Sequence, residues 1–285
     1  MQEYKNEKKQ GMVRQEKDGV TFLAFPAFLE RRELAHLFST RLGGVSEDCF
    51  STMNLSFTRG DDPDRVMENY RRMAGVLECR PEDFVCSDQT HTTNIRLVTK
   101  ADGGKGVVRE KDYRDVDGLI TKEKGLVLVT FYADCVPLYF YDPVQGAVGL
   151  AHSGWRGTVA RMGEKMVDAM KEVFGSRPED LLTAVGPCIC QDCYEVSADV
   201  AEQFEQAFPD RRAQRELLTE TVPGTKYHLN LQRANELILR ECSVPTERIF
   251  TANLCTCCNA GLLFSHRASK GKRGNLAAFL GLRKS

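Results

Sequence analysis

Three residues of this sequence could share one metal ion or form a nucleophile with its base. Cys135 occurs in Ala-Asp-Cys-Val-Pro, His152 in Ala-His-Ser-Gly-Trp-Arg-Gly and His91 in Asp-Gln-Thr-His. Each lies beside a polar or turn-forming stretch at the end of a predicted strand, and the chain has only five histidines. One cysteine with two histidines leaves one position of tetrahedral zinc open, as in catalytic sites. We therefore predict that the three residues meet and form an active centre.

The residue before Cys135 helps to choose between a metal ligand and a free nucleophile. Asp134 is acidic, and a negative charge beside a thiol raises the pKa of that thiol. A metal ion overcomes this effect, because coordination deprotonates the thiol outright. The local sequence therefore favours metal ligation over a free thiolate, with Asp134 as a candidate proton carrier. A buried structural cysteine is the ordinary alternative.

Glycine-containing segments supply candidate anion-binding groups. Arg156 lies between Gly154 and Gly157, before a predicted helix whose first amides favour an anion such as phosphate. Arg41 opens a second glycine loop, and its guanidinium could bind phosphate or carboxylate through two hydrogen bonds. His266 belongs to a basic segment that could close over an anionic substrate. A solvated turn or tail is the alternative for each of these segments.

Two Cys-x-x-Cys pairs occur outside these motifs. One joins Cys190 to Cys193, and the other joins Cys255 to Cys258. Two such pairs can form a four-cysteine zinc site. Because the pairs are much further apart than in a zinc ribbon, buried or unligated thiols are the alternative interpretation.

The predicted elements around these motifs indicate an α+β fold. Strands are predicted at residues 20–25, 37–40, 84–87, 94–98, 125–131, 136–141, 147–151, 182–185 and 248–252, and helices from residue 62, at 158–174, at 197–208 and after residue 230. Strands outnumber helices, and several neighbours resemble hairpins, unlike the regular alternation of a doubly wound sheet. We therefore predict sheets that pack against each other and are covered by helices.

Composition and patterning limit the organisation and the partners of the chain. No repeat or long linker interrupts it, so we predict a frayed tail at residues 1–17 and one catalytic domain at residues 18–285. The net charge of −1 gives no electrostatic reason to bind nucleic acid, and no apolar run is long enough to span a membrane. The N-terminus lacks a secretory signal, so a cytoplasmic location is expected, where most of the eleven cysteines would be thiols or ligands.

Together the motifs resemble one family, known as multicopper polyphenol oxidases or laccase-domain proteins, and also as purine nucleoside phosphorylases and peptidoglycan editing factors. The matching stretches are Phe-Ser-Thr-Arg-Leu-Gly-Gly-Val-Ser from residue 38, Gln89-Thr-His91, Asp117-Gly118, Ala133-Asp-Cys135, His152-Ser-Gly-Trp-Arg-Gly157, Gly186-Pro-Cys-Ile, Cys193-Tyr-Glu-Val and Phe264-Ser-His-Arg. Their combination is highly specific and covers nearly the whole chain. One departure is the threonine after His91, where many members carry glycine.

The resemblance implies a four-layer αββα sandwich, with the fold of the cytotoxic-necrotizing-factor-like cysteine hydrolases. It also implies that His91, Cys135 and His152 are catalytic zinc ligands, with copper as an alternative metal. The activity implied is phosphorolysis of adenosine, inosine or methylthioadenosine, together with deamination of adenosine. The residues predicted to bind the nucleoside or phosphate are Arg41, Asn54, Gln89, Arg156 and His266.

Other functions remain as alternatives to this zinc-dependent nucleoside enzyme, which would act as a monomer or small homo-oligomer. One is an amidase that removes misincorporated serine from a muramoyl-serine cell-wall precursor, by attack of Cys135 or of an activated water. Copper-dependent phenol oxidation ranks last, because three ligands with one cysteine cannot form a multi-copper cluster. A thiol-rich metal-storage module is the non-enzymatic alternative.

Overall fold

The structure of the protein is a computed structural model that describes residues 11–284. In that range the strands are β1 (Val13–Lys17), β2 (Val20–Ala24), β3 (Leu34–Ser39), β4 (Phe84–Cys86), β5 (Ile95–Leu97), β6 (Gly118–Thr121), β7 (Val127–Tyr132), β8 (Val136–Asp142), β9 (Ala147–Ser153), β10 (Leu182–Val185), β11 (Glu195–Ser197), β12 (Leu218–Val222), β13 (Lys226–Leu229), β14 (Ile249–Thr251) and β15 (Leu276–Leu282). The helices are α1 (Pro26–Leu29), α2 (Pro63–Leu77), α3 (Trp155–Val159), α4 (Met162–Phe174), α5 (Ala198–Ala207), α6 (Arg211–Leu217) and α7 (Leu231–Glu241). The predicted α+β class is confirmed.

The strands form two six-stranded sheets and one three-stranded sheet. The first sheet has the order β1-β2-β3-β15-β7-β4, and the second has the order β14-β10-β8-β9-β6-β5. The small sheet has the order β11-β13-β12. Neighbouring strands are antiparallel except in the pairs β4–β7, β5–β6 and β10–β14. The structure thus contains hairpins, as the sequence predicts, and differs from a doubly wound parallel sheet.

The two large sheets share one apolar core. Leu128 and Leu280 of the first sheet belong to the same buried cluster as Tyr139 and Leu150 of the second. Helix α2 packs on the other face of the first sheet, and helices α4 and α7 pack on that of the second. Because both faces of β8, β9 and β15 are covered, these strands are buried along their whole length. Their sequences are accordingly apolar runs rather than alternating patterns.

One turn and one hairpin position the candidate catalytic residues. Strand β7 belongs to the first sheet and β8 to the second, so Cys135 lies where the chain crosses between them. Strands β8 and β9 then form the predicted hairpin, closed by Asp142, whose Oδ1 accepts hydrogen bonds from two amides of the turn at 2.8 and 2.9 Å. The hairpin register places His152 opposite Pro137, two residues from Cys135.

The single helix predicted at residues 158–174 is wrong in its start and in its continuity. Helix α3 begins directly after Gly154, and Arg161 between α3 and α4 has a φ of 61°, which interrupts the helical hydrogen-bond pattern. The hydroxyl of Thr158 accepts a hydrogen bond from Asn235 of α7 at 3.0 Å. This contact ties α3 to α7 as a helix separate from α4. The apolar spacing of residues 158–174 does not reveal that separation.

The frayed tail predicted for residues 1–17 is wrong for Val13–Lys17. These residues form β1 and pair with β2 in antiparallel register, and residues 1–10 lie outside the described range. Strand β1 lies at a sheet edge and is mostly exposed, so its charged sequence resembles a tail. No helix of residues 11–284 is both long enough and apolar enough to cross a membrane.

Candidate active site

His91, Cys135 and His152 meet at one point. The atoms they can offer to a metal all lie within 4.8 Å of one another, and the two imidazole rings lie 5.0 Å apart at 81°. His152 is buried in β9, Cys135 is half-buried in the β7–β8 turn, and His91 is exposed in the loop between β4 and β5. The cluster therefore extends from the interior to the solvent, where a substrate can reach it.

Asp117 forms hydrogen bonds with His152 and with the loop that carries His91. It is fully buried, and its Oδ1 lies 2.8 Å from Nδ1 of His152. The same carboxylate accepts hydrogen bonds from the amides of Thr90, His91 and Thr92 at 3.1, 3.2 and 2.9 Å. His91 has a φ of 66°, an uncommon value for a residue with a side chain, and these bonds hold its loop in that conformation. Nε2 of His152 remains available for a ligand.

Asp117 functions as a carboxylate in this position. Burial raises its pKa, but the hydrogen bonds from His152 and from the backbone amides outweigh burial and lower the pKa. A charged carboxylate behind a ligating histidine fixes the ring orientation and raises the basicity of the ligand. The Asp117-Gly118 stretch carries part of the family resemblance, but no separate role is predicted for Asp117 from its residue type and neighbours.

We expect Asp117→Asn to weaken metal binding by about 10- to 100-fold, the usual effect of losing such a partner. One carboxylate oxygen would become an NH₂ group facing amide donors or His152, so the melting temperature should also fall. Isothermal titration of metal-depleted protein measures the affinity. Asp115→Asn is the matched control, because Asp115 is an exposed acid of the same network that accepts from Thr90 Oγ1 at 2.7 Å. Equal affinities in both variants would contradict the role of Asp117.

The thiol of Cys135 is held in an environment that favours the thiolate. Burial raises the pKa of Cys135, but the charge and hydrogen bonding of His152 and His91 outweigh burial and lower the pKa. Any effect of the acidic Asp134 on the pKa of Cys135 is smaller than that of the two histidines. The two histidines are direct partners of the sulfur, whereas the Asp134 side chain is directed elsewhere. A ligating cysteine must be deprotonated, so this environment suits a metal ligand.

Asp134 connects the catalytic turn to the segment after β14. Its Oδ1 accepts from Thr256 Oγ1 at 2.7 Å, and its Oδ2 accepts from the Arg267 amide at 2.7 Å. The residue is buried and has a φ of 94°. The structure therefore places the predicted proton carrier in a positioning contact, with both carboxylate oxygens engaged away from the cavity beside Cys135.

Gly154 leaves room for the cluster. A Cβ atom built on it would lie 3.0 Å from His91 Cδ2 and 3.1 Å from Cys135 Sγ, which is closer than ordinary van der Waals contact. Its φ of −74° is accessible to any residue, so only the crowding penalises a side chain here.

Gly154→Ala is expected to displace His91 or Cys135 and to lower turnover by roughly 10- to 100-fold, since sub-ångström misplacement has effects of this size. Steady-state rates and metal content measure it. Gly157→Ala is the matched control, because a Cβ there meets its nearest neighbour at 3.6 Å. Wild-type rates in the Gly154→Ala variant would show that the cluster tolerates the added methyl group.

A cavity of about 380 Å³ opens beside the cluster and is lined by His91, Cys135 and His152. Its volume lies within the range of roughly 300–1,000 Å³ that is common for small-molecule sites. Phe57 and Phe131 contribute partly exposed aromatic rings to its lining. The cavity can therefore hold a planar, apolar group near the candidate metal site.

Two arginines of the same cavity were not singled out from the sequence. Arg59 is exposed, and Nε of Arg273 is buried without a hydrogen-bond partner in the described part of the chain. Burial and the positive charge of Arg59 lower the pKa of Arg273 to about 10. Lys111 also lines the cavity, but it is paired with Asp88. Arg59 and Arg273 thus form an electropositive pair suited to an anion.

The five predicted substrate-binding residues are divided between the cavity and other places. Gln89 lines the cavity, where its side chain exchanges two hydrogen bonds with the backbone of Phe131. Asn54 is not among the lining residues; it is buried, and its Oδ1 accepts hydrogen bonds from the Ser56 and Asn275 amides at 3.1 and 2.9 Å.

The other three lie outside the lining of this cavity. The Arg41 guanidinium donates to the carbonyls of Ser51 and Ala260 at 2.9 and 2.8 Å, and Arg156 lies over the Trp155 ring at 4.2 Å. His266 is exposed, and partial burial and the charge of Arg273 lower its pKa. The structure therefore does not bring these three to the metal cluster.

Comparisons with known proteins agree with this fold. Residues 35–283 match the family model described as multi-copper polyphenol oxidoreductase laccase. The purine nucleoside phosphorylase YlmD of Geobacillus stearothermophilus is 39% identical over 249 residues, which are 86% of this chain and 89% of that protein. Adenosine deaminase RL5, from an unknown prokaryotic organism, is 31% identical over 242 residues, or 84% of this chain and 91% of that protein.

The crystal structure of YlmD from Geobacillus stearothermophilus superposes with a TM-score of 0.87 at 36% identity, covering 96% of this chain and 100% of that one. The chain belongs to the multi-copper polyphenol oxidoreductase laccase family.

Proposed function

We propose that this protein is a zinc-dependent purine nucleoside phosphorylase that also deaminates adenosine. The observation that carries the proposal is the His91–Cys135–His152 cluster at the wall of a cavity that also contains an arginine pair. The relatives named purine nucleoside phosphorylase and adenosine deaminase support this choice over the other reactions considered.

The donor set fits zinc. Two imidazoles and one thiolate are typical ligands of a catalytic zinc ion, and the Asp117 carboxylate behind His152 is the usual supporting partner. His91, Cys135 and His152 would hold the ion. Zinc bound here would supply Lewis-acid activation of water or of a substrate oxygen.

The cavity supplies a place for the purine. The rings of Phe57 and Phe131 present aromatic faces, and Phe57 is itself fixed by stacking on Tyr70 at 5.6 Å and 7°. A purine can pack against such faces while its polar edge is directed toward His91 and Cys135. The protein thereby orients the nucleoside and excludes water from part of its surface.

Phosphate would bind to Arg59 and Arg273. A phosphate oxygen then forms a bond to ribose C1′, the C1′–N9 bond breaks, and the electron pair leaves with the purine. The leaving purine takes up the proton that phosphate loses, so the products are the sugar-1-phosphate and the free base. In deamination, water adds at C6 of adenosine and ammonia leaves, which gives inosine and requires no phosphate. The arginine pair therefore serves the first reaction and not the second.

The test is to incubate zinc-loaded protein with adenosine, inosine or methylthioadenosine, with and without phosphate, and to separate the products by chromatography. We expect ribose-1-phosphate from adenosine or inosine, and 5-methylthioribose-1-phosphate from methylthioadenosine, only when phosphate is present. We expect inosine from adenosine in either case. Absence of both products would refute the proposal. Cleavage of a muramoyl-serine precursor by the same preparation would then support the amidase.

We also propose that the two sheets and their covering helices form the four-layer αββα sandwich of the cysteine-hydrolase type. The packing of α2 on one sheet and of α4 and α7 on the other supports it. We further propose that the chain forms a single catalytic domain, which includes β1 and therefore begins before the predicted residue 18, and that the protein is cytoplasmic.

A further inference from the structure

A second thiol cluster lies outside the active site. Its members are Cys190, Cys193, Cys255 and Cys258, and their sulfur atoms all lie within 4.8 Å of one another. We propose that these four cysteines bind a structural zinc ion. None of these four cysteines belongs to the active-site cluster, so their zinc ion is independent of the proposed reaction.

The sulfur positions fit tetrahedral coordination. A zinc–sulfur distance of about 2.3 Å places the sulfurs of a regular tetrahedron about 3.8 Å apart. The separations are 3.4 Å between Cys193 and Cys258 and 3.9 Å between Cys190 and Cys258. A disulfide requires about 2.05 Å, and all four are free thiols. The sulfurs therefore already lie near the positions that one zinc ion would require.

The fold brings the two distant pairs together. Strands β10 and β14 are parallel neighbours, so the segments that follow them leave the sheet at the same edge. Those segments continue to pair, because the Cys188 amide donates to Leu254 O at 3.3 Å and the Thr256 amide donates to Cys188 O at 3.1 Å. The Cys190–Cys193 pair directly follows this point on one segment, and the Cys255–Cys258 pair begins at it on the other.

Backbone amides are also directed at a ligand sulfur. The amides of Cys190 and Cys258 donate to Sγ of Cys255 at 3.2 and 3.3 Å. Such bonds stabilise negative charge on sulfur and fix its direction. One amide comes from each of the two segments, so both segments must be in place to position this sulfur.

Four cysteine ligands leave no open coordination position, which is characteristic of structural zinc. The ion would join the segment after β10 to the segment after β14. The second segment contains Thr256, which bonds to Asp134 beside Cys135. The four-cysteine site would therefore stabilise the segment that holds Asp134 in place. It would do so without contacting substrate.

The decisive variant is His91→Ala/His152→Ala, which removes two ligands of the active-site cluster and leaves all four cysteines. We expect the full-length variant, purified under reducing conditions, to retain one zinc ion per chain. X-ray absorption at the zinc edge should report sulfur ligands only, at about 2.3 Å. Cys190→Ser/Cys258→Ser should lose this ion, whereas Cys49→Ser, which changes an exposed cysteine outside the cluster, should keep it.

Two results would overturn the proposal. One is a folded His91→Ala/His152→Ala variant without zinc, in which all four thiols react freely with a thiol reagent. The other is recovery of iron, or of a disulfide among the four, under the same reducing conditions. These readouts are independent of nucleoside turnover, and they decide the matter even if the double serine variant does not fold.

Discussion

Cys135→Ala is expected to abolish active-site metal binding and to reduce turnover by about 10³-fold or more. Metal catalysis contributes several kcal/mol, and each 1.36 kcal/mol corresponds to a factor of ten in rate. The substitution removes the ligand that joins the two histidines, and two imidazoles alone hold zinc weakly. The zinc content should fall by one ion per chain, because the four-cysteine site keeps its own ion. The rates of phosphorolysis and deamination should fall together, because both reactions use the same centre.

Cys86→Ser provides the comparison for Cys135→Ala. Cys86 lines the same cavity but lies outside the metal-ligand cluster, so this variant should retain the metal. If Cys135→Ala kept its metal and its rates, the assignment of Cys135 as a ligand would be refuted. Loss of rate with full metal retention would instead point to the thiolate as a nucleophile and would revive the amidase hypothesis.

Removal of both cavity arginines is expected to separate the two activities. Each charge-assisted hydrogen bond contributes about 1.5–3 kcal/mol, so Arg59→Met/Arg273→Met should raise KM for phosphate by about 10²-fold or more. Deamination of adenosine uses no phosphate, and its rate should change little. Arg273 also donates a hydrogen bond to the neighbouring backbone, so the fold of the double variant must be checked. Retained deamination provides that check.

Arg212→Met is the control for the arginine pair, because Arg212 is an exposed residue of α6 outside the cavity. It should leave both activities unchanged. An equal loss of phosphorolysis and deamination in the double variant would mean that the arginines support the fold or the nucleoside rather than phosphate. The phosphate site would then have to be sought elsewhere, and the exposed Arg156 would be the next candidate.

The sequence predicted the members of the active-site cluster better than their surroundings. Cys135 and His152 are close along the chain and flank one hairpin, so local pattern predicts that they approach each other. Asp117 lies immediately before β6, and its contact with His152 depends on the β6–β9 register. Such a register cannot be obtained from residue spacing alone.

The anion-binding predictions were limited by the same dependence on distant segments. Arg41 has the residue type and the glycine loop expected of a phosphate ligand. The segment that contains Ala260 folds back over it, and the guanidinium bonds to backbone carbonyls instead. That segment also brings Arg273 into the cavity. The two Cys-x-x-Cys pairs likewise meet only because β10 and β14 are neighbours.

The position of β15 has a consequence for how the chain folds. This most C-terminal strand lies between β3 and β7 and is buried along its whole length. Until it is inserted, β3 and β7 each present an unpaired edge, and such edges pair readily with other chains. Pairing between segments so distant in sequence is slow, because the loop must close before contacts form. Insertion of β15 should therefore limit the folding rate, and aggregation should compete with folding mainly before that step.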